Sequence, residues 1–154
     1  MEIQKIASFR VNHNTLRPGI YVSRVDGDAV TYDLRHRTPN TGDLMDNATM
    51  HSLEHMFATY IRASAIGSRV LYFGPMGCQT GFYLLVREGK NEETLAAVRD
   101  TLEKIIAHED EMFGASATEC GNYKNLSLAL AKAEAMRYLS VLSEKREWSF
   151  LYED

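Results

Sequence analysis

The sequence predicts an α+β fold, a mostly antiparallel sheet with helices packed on one face, built as a single domain over residues 1–154. Three observations carry that expectation. Strand-like runs come in pairs around turn residues and crowd the first half of the chain. Longer segments repeat their apolar residues at helical spacing. The two kinds of element do not alternate regularly, as a parallel βαβ architecture would require.

The first strand pair is Gly19 to Val25 and Ala29 to Arg35, with Ile20 and Val22, then Val30, Tyr32 and Leu34, at period two. Asp26-Gly27-Asp28 between them is a hairpin turn signal, because glycine accepts the positive φ a tight turn needs. Arg69 to Phe73 and Phe82 to Arg87 form a second pair around Gly74-Pro75-Met76-Gly77. A helix is expected from about Ala48 to Ala63, capped by Asp46 or Asn47, with Met50, Leu53, Phe57, Tyr60 and Ile61 at helical spacing. A second is expected near Glu92 to Ala107, where Leu95, Val98, Leu102 and Ile105-Ile106 share a stripe. A third runs from about Leu126 to Leu142 and is rich in Ala and Leu.

A chain of 154 residues suits one core. It contains no internal repeat, low-complexity tract or linker-like stretch. With 45% hydrophobic and 25% charged residues the composition is that of a soluble globular protein, and a net charge of −4 lacks the basic footprint of a nucleic-acid binder. No apolar run approaches the roughly 18–20 residues a membrane helix needs. The opening Met1-Glu2-Ile3-Gln4-Lys5 lacks the apolar core of a secretory signal. The expected setting is therefore a reducing cytoplasm, where two cysteines are expected to be free, metal-bound or catalytic rather than bridged.

The segment His51-Ser52-Leu53-Glu54-His55 is the most informative in the chain. Residues four apart on a helix lie one turn above each other, so both imidazoles can reach one ion. At about 100° per residue the apolar stripe of Met50, Leu53 and Phe57 runs beside the His51–Glu54–His55 face, not opposite it. The site would sit at the rim of the core, with Glu54 placed to accept a proton beside the metal. A bare His-x-x-x-His also occurs on ordinary polar helix faces. The intervening Glu makes this one the His-x-x-Glu-His pattern of inverzincin peptidases, which still names no reaction.

A catalytic site needs a third protein ligand and an open position. The soft candidates are Cys78, in Gly77-Cys78-Gln79-Thr80-Gly81, and Cys120, in Glu119-Cys120-Gly121-Asn122. For either one the plain reading is a small buried hydrophobe. The residues alone do not say which ligates, although a His₂Cys set suits Zn²⁺ or Fe²⁺ far better than Mg²⁺ or Ca²⁺.

Taken together the motifs resemble a known family, the S-ribosylhomocysteine lyases (LuxS). The likeness runs in order through Asn12-His13-Asn14, Tyr32-Asp33-Leu34-Arg35 with Pro39-Asn40, His51-Ser52-Leu53-Glu54-His55, Pro75-Met76-Gly77-Cys78-Gln79-Thr80-Gly81 and Glu119-Cys120-Gly121-Asn122. It spans about the first four-fifths of the chain, and the tail beyond Leu142 carries no motif. The resemblance implies that Cys120 is the third metal ligand beside His51 and His55, and that Cys78 is the catalytic cysteine. It implies one divalent metal per subunit, Fe²⁺ in preference to Zn²⁺, and a homodimer with active sites at the subunit interface. Arg35, Ser8 and His13 match positions that contact the substrate, the last two from the partner subunit. His36-Arg37-Thr38 departs from the family, whose members often carry an aromatic residue and a cysteine there.

The implied substrate joins ribose to homocysteine through a thioether. Shifting the sugar carbonyl from C1 to C2 and then C3 acidifies the C4 proton, and loss of that proton permits β-elimination of homocysteine thiolate. Each step needs a Lewis acid at oxygen and a base that carries protons between adjacent carbons, the latter suiting Glu54 and Cys78. A thiol with a pKa near 8.5 needs help to act as a thiolate, which Arg35 or the metal would give. Without the resemblance Arg35 would read as a strand-end surface cation. His36 and His108 are expected to be non-catalytic. The rivals are an inverzincin-type metallopeptidase, which usually takes a carboxylate as third ligand in a longer chain, and a noncatalytic metal-binding module, which would leave Cys78 with no role.

Overall fold

The computed structural model describes residues 1–153. Its elements are α1 (Ala7–Arg10), β1 (Gly19–Asp26), β2 (Ala29–Arg35), α2 (Asn47–Arg62), β3 (Val70–Pro75), β4 (Gly81–Arg87), α3 (Asn91–Ala107) and α4 (Leu128–Leu142). The strands form one antiparallel sheet in the order β1-β2-β4-β3. The α+β expectation holds, with each strand and each longer helix within about two residues of its sequence-based bounds.

Local chemistry sets those bounds. Gly27 turns the first hairpin at φ 59°. Asp46 caps α2, its carboxylate accepting from the Thr49 N–H at 2.8 Å. α3 begins with Glu92 and Glu93 in its first turn, where acidic groups meet the positive end of the helix dipole. α4 starts at Leu128, not Leu126, because Ser127 caps it through the Leu130 N–H at 3.3 Å and a separate 3₁₀ turn occupies Tyr123–Asn125. The one-turn α1 was not foreseen, since four residues are too few to show a period.

Strand alternation divides the sheet into two unlike faces. Ile20, Leu34 and Phe82 align across β1, β2 and β4, as do Val22, Tyr32 and Leu84. This face meets Leu53, Phe57 and Ile61 of α2, Leu95, Val98 and Leu102 of α3, and Ala131, Tyr138 and Leu142 of α4. Phe73 stacks between Phe57 and Phe82, with centroid distances of 4.3 and 4.9 Å. Each large side chain buried here contributes about 1.5–3 kcal/mol. Along the other face Tyr21, Asp33 and Tyr83 align, and Arg35 lies between Gly19 and Gly81. A Cβ at Gly81 would come within 2.6 Å of the Leu34 carbonyl oxygen, so this crossing at Arg35 requires glycine.

The segment after α4 returns along the free edge of β1, with Phe150 in the core and Tyr152 on the second face. The Phe150 carbonyl accepts from the Val22 N–H at 2.9 Å, and the Tyr152 ring stacks on Tyr21 at 5.0 Å. No helix is long and apolar enough to cross a membrane.

Candidate metal centre and cysteine pocket

His51 and His55 project from successive turns of α2, and the loop between α3 and α4 brings Cys120 against them. One ligand atom from each lies within 4.8 Å of the others, with Cys120 Sγ 3.3 Å from His51 Nε2. Both rings are anchored at Nδ1. His55 Nδ1 donates to the Phe113 carbonyl at 3.0 Å. His51 Nδ1 meets Asn125 Oδ1 at 2.5 Å, while Asn125 Nδ2 donates to Asn47 Oδ1 at 2.7 Å, which turns the amide oxygen toward the ring. Donation from Nδ1 leaves Nε2 of each ring with its lone pair for a metal. The Asn122 N–H also points at Cys120 Sγ, at 3.4 Å, and helps hold the side chain in place. The donor set therefore fits a borderline divalent ion, with three protein ligands and a remaining open position.

The loop approaches His55 closely enough to constrain its own sequence. Gly114 sits at φ 69°, and a Cβ there would stand 2.8 Å from His55 Nδ1. The preceding Phe113 ring packs edge-on against Tyr60 and His108. His108 Nε2 donates to the Glu111 carbonyl at 2.9 Å, and its Nδ1 takes the Tyr60 hydroxyl at 2.7 Å. His108 thus secures the loop and stands outside the His51–His55–Cys120 group. Glu54 is half-buried between the two histidines, and its carboxylate has no hydrogen-bond or ion-pair partner among the described residues.

Cys78 belongs to a second constellation. It is exposed on the turn between β3 and β4 and borders two cavities, of about 350 and 330 Å³. Ser8, His13, Arg35 and Tyr83 line the first, and His13 recurs around the second together with Asn40 and Thr80. Cys78 Sγ lies 3.0 Å from Thr80 Oγ1 and 4.0 Å from Arg35 Nη1. His13 donates Nδ1–H to the Val11 carbonyl at 2.9 Å, which leaves Nε2 as an acceptor. Both cysteines are free thiols.

Gln79, beside the thiol, holds a positive φ of 67°, a conformation that costs a non-glycine residue on the order of 1 kcal/mol. Two bonds to Met45 hold it there, Met45 N–H to the Gln79 carbonyl at 3.0 Å and Gln79 Nε2 to the Met45 carbonyl at 2.8 Å. Met45 directly precedes the Asp46 cap of α2, so the cysteine turn and the histidine helix are fastened at one point.

Arg35 is 3% exposed, which corrects its isolated reading as a surface cation. Its Nε and Nη2 pair with Asp33 at 3.1 and 2.7 Å, and its Nη1 donates to Thr80 Oγ1 at 2.8 Å. Burial would lower the Arg35 pKa, but Asp33 outweighs it and the guanidinium is held charged. Ser8 and His13 stand beside Cys78 and Arg35 within one chain. The His51–His55–Cys120 group is the one set apart, since none of its members lines either cavity around Cys78. His36 and Arg37 lie in neither constellation. Both are buried with Glu134 of α4.

Sequence reasoning missed Asn125, Asn47, Gly114, Thr80 and Tyr152. Thr80 alone had a visible cue, its place inside the cysteine motif.

The profile of the S-Ribosylhomocysteinase (LuxS) family matches residues 6–148. An S-ribosylhomocysteine lyase of Finegoldia magna is 43% identical over 155 residues, covering 97% of this chain and 99% of its own length. One of Clostridium beijerinckii is 42% identical over 144 residues, covering 90% and 91%. One of Borreliella burgdorferi is 38% identical over 156 residues, covering 97% and 99%. With a His–His–Cys group that could hold a metal and an exposed thiol beside two cavities already in place, these matches leave one assignment: the chain belongs to the S-ribosylhomocysteinase (LuxS) family.

Proposed function

We propose that this protein is a metal-dependent carbon–sulfur lyase that cleaves S-ribosylhomocysteine to homocysteine and 4,5-dihydroxy-2,3-pentanedione, the precursor of autoinducer-2. The single observation that carries the reading is the convergence of His51, His55 and Cys120, both imidazoles anchored at Nδ1, beside the unpartnered carboxylate of Glu54 in a chain of this family. A cysteine third ligand and the family match leave the peptidase reading without support.

His51, His55 and Cys120 would hold the metal, Fe²⁺ in the cell and Zn²⁺ as an alternative occupant. A divalent ion there supplies Lewis acidity to a carbonyl or enediolate oxygen. Glu54, beside the ligands, takes a proton from one sugar carbon and returns it to its neighbour, moving the carbonyl from C1 to C2 and on to C3. Cys78 as thiolate removes the C4 proton. The electron pair forms the C4–C5 double bond as the C5–S bond breaks, and homocysteine leaves as its thiolate. Arg35 holds negative charge near Cys78, and Ser8 and His13 offer polar contacts to the substrate from the same pocket.

The separation of the triad from the Cys78 pocket within one chain supports a homodimer in which the metal of one subunit faces the pocket of its partner. Residues 1–154 act as one catalytic domain, in the cytoplasm, with neither nucleic acid nor membrane as partner.

The test is thiol release from S-ribosylhomocysteine by anaerobically purified, Fe²⁺-loaded protein. Catalytic release is expected, lost in Cys78→Ala with metal retained and lost in Cys120→Ala with metal gone. Near-normal turnover by Cys78→Ala would remove that residue from the chemistry, and no release from folded, metal-loaded protein would overturn the lyase reading.

A further inference from the structure

The C-terminal tail places one hydroxyl on Asp33, behind the Arg35 that lines the Cys78 pocket, and the chemistry above does not use it. Tyr152 donates to Asp33 Oδ2 at 2.7 Å, the oxygen that also takes Arg35 Nη2 at 2.7 Å. Arg35 Nε occupies Asp33 Oδ1 at 3.1 Å. The arm of the guanidinium left over, Nη1, reaches Thr80 Oγ1 at 2.8 Å and stands 4.0 Å from Cys78 Sγ. Thr80 Oγ1 closes the series, 3.0 Å from the same sulfur. The interior members, Asp33, Arg35 and Thr80, are all buried.

The tail is fixed by contacts of its own. Phe150 is 2% exposed and its carbonyl accepts the Val22 N–H. The Tyr152 ring stacks on Tyr21, with 17° between their planes, and Thr15 Oγ1 donates to the Glu153 carbonyl at 3.0 Å. Burial, and then the charge of Asp33, push the Tyr152 pKa far up, so the hydroxyl remains a donor at any working pH.

Asp33 takes the guanidinium side-on, one oxygen on Nε and the other on Nη2, a bidentate fork. That arrangement leaves Nη1 unspent and turns it toward Thr80 and the thiol. A second donor on Oδ2, brought from the tail, resists rotation of the carboxylate and with it any swing of the guanidinium away from the thiol. We propose that Tyr152 is a positioning residue for the Cys78 pocket: its hydroxyl fixes Asp33, and Asp33 in turn aims Arg35 Nη1 at Thr80 and Cys78. The proposal rests on the reading of Cys78 as the reacting thiol. It gives the tail, which carries no motif, a defined task.

The charged and titratable groups facing Cys78 are Arg35 of β2 with Asp33 behind it, Tyr83 of β4, and His13 of the N-terminal segment. Tyr152→Phe keeps the stacked ring and changes only the hydroxyl, so of these groups it directly touches Asp33 alone. In the metal-loaded full chain, Cys78 is alkylated with iodoacetamide across a pH series and followed by peptide mass spectrometry, with Cys120 held by the metal. The Phe variant is expected to be alkylated about threefold more slowly near neutrality, with its rate–pH profile displaced from that of the parent. A chain ending at Leu151 should shift the same way. A Phe profile that superimposes on the parent overturns the proposal, as does a truncated chain that behaves like the parent. Because alkylation needs no turnover, a shift in protein that releases no homocysteine would sustain the positioning role while the lyase reading failed.

Discussion

Arg35 and Arg37 stand two residues apart at the end of β2, and each meets a buried carboxylate, one on the outer face of the sheet and the other among the helices. Arg37 gives Nη1 and Nη2 to Glu134 at 2.7 and 2.5 Å. Glu134 Oε2 also takes His36 Nδ1 at 2.6 Å, and the His36 ring stacks on Tyr138 at 3.8 Å. Arg37 Nε finds no hydrogen-bond acceptor, although Asp43 lies 3.3 Å away. That pair closes on itself, with both terminal nitrogens of Arg37 spent on Glu134 and only Nε left over, beside Asp43. Arg35 commits only Nε and Nη2 to Asp33 and extends Nη1 toward a cavity and a thiol. Burial is alike in the two pairs. On the proposed function, what separates the two pairs is the direction of the donor left over, Arg35 Nη1 toward the thiol and Arg37 Nε toward Asp43.

The largest effect should come from breaking the closed pair. Glu134→Ala leaves Arg37 charged and buried without its partner, which costs about 3–5 kcal/mol of stability in chemical denaturation. Metal content and the alkylation profile of Cys78 should stay unchanged in the folded fraction. A Cys78 shift as large as that of Tyr152→Phe would show the two pairs to be coupled, and the contrast between them would fail.

Acid offers the next test. Burial would raise the Glu134 pKa, but hydrogen bonds from His36 and Arg37 outweigh it and hold the carboxyl at about 2, against an ordinary 4.5. His36, driven by burial, is pushed below 6.5, so it enters the cluster as a neutral donor and Arg37 is the counter-ion. Both folded-state values lie below their unfolded ones, so both groups stabilise the fold most at higher pH. The His36 contribution is lost as pH falls below about 6.5, and the Glu134 contribution as pH falls from 4.5 toward 2. The lower step is worth on the order of 3 kcal/mol and should be missing from the stability–pH curve of Glu134→Gln. If parent and variant lose stability in parallel below pH 4.5, the cluster does not hold Glu134 ionised.

Sequence legibility followed the same divide. His51 and His55 could be read because a helix repeats them on one face, and the strands because their alternation survives even where Asp33 and Arg35 occupy the outer positions. Cys120 needed the resemblance, since nothing local distinguishes it from Cys78. Partners brought from afar stayed hidden. Glu134 lies 97 positions from Arg37, Asn125 lies 74 from His51, and Tyr152 lies 119 from Asp33. The departure at His36-Arg37 illustrates the point, because only packing of α4 against the end of β2 reveals that both residues serve Glu134. Gly114 was silent for another reason, its need arising from the His55 ring and not from any turn pattern.

The finest distinction is drawn by exchanging each arginine for lysine. An ammonium keeps the charge but lacks the planar fork, so at position 35 it can sit on Asp33 or reach toward Thr80 and Cys78, but not both. Asp33 keeps a cation and the Tyr152 hydroxyl, so the fold should lose about 1 kcal/mol or less. The kcat/KM for homocysteine release should fall about a hundredfold, equivalent to about 2.7 kcal/mol of transition-state stabilisation. Arg37→Lys should do the reverse, weakening the fold while sparing kcat/KM. Denaturation and steady-state kinetics on the two variants therefore form a crossed pair of measurements. Should Arg35→Lys lose stability and keep its rate, the donor facing the thiol would be incidental, and the outer pair would be as structural as the inner one.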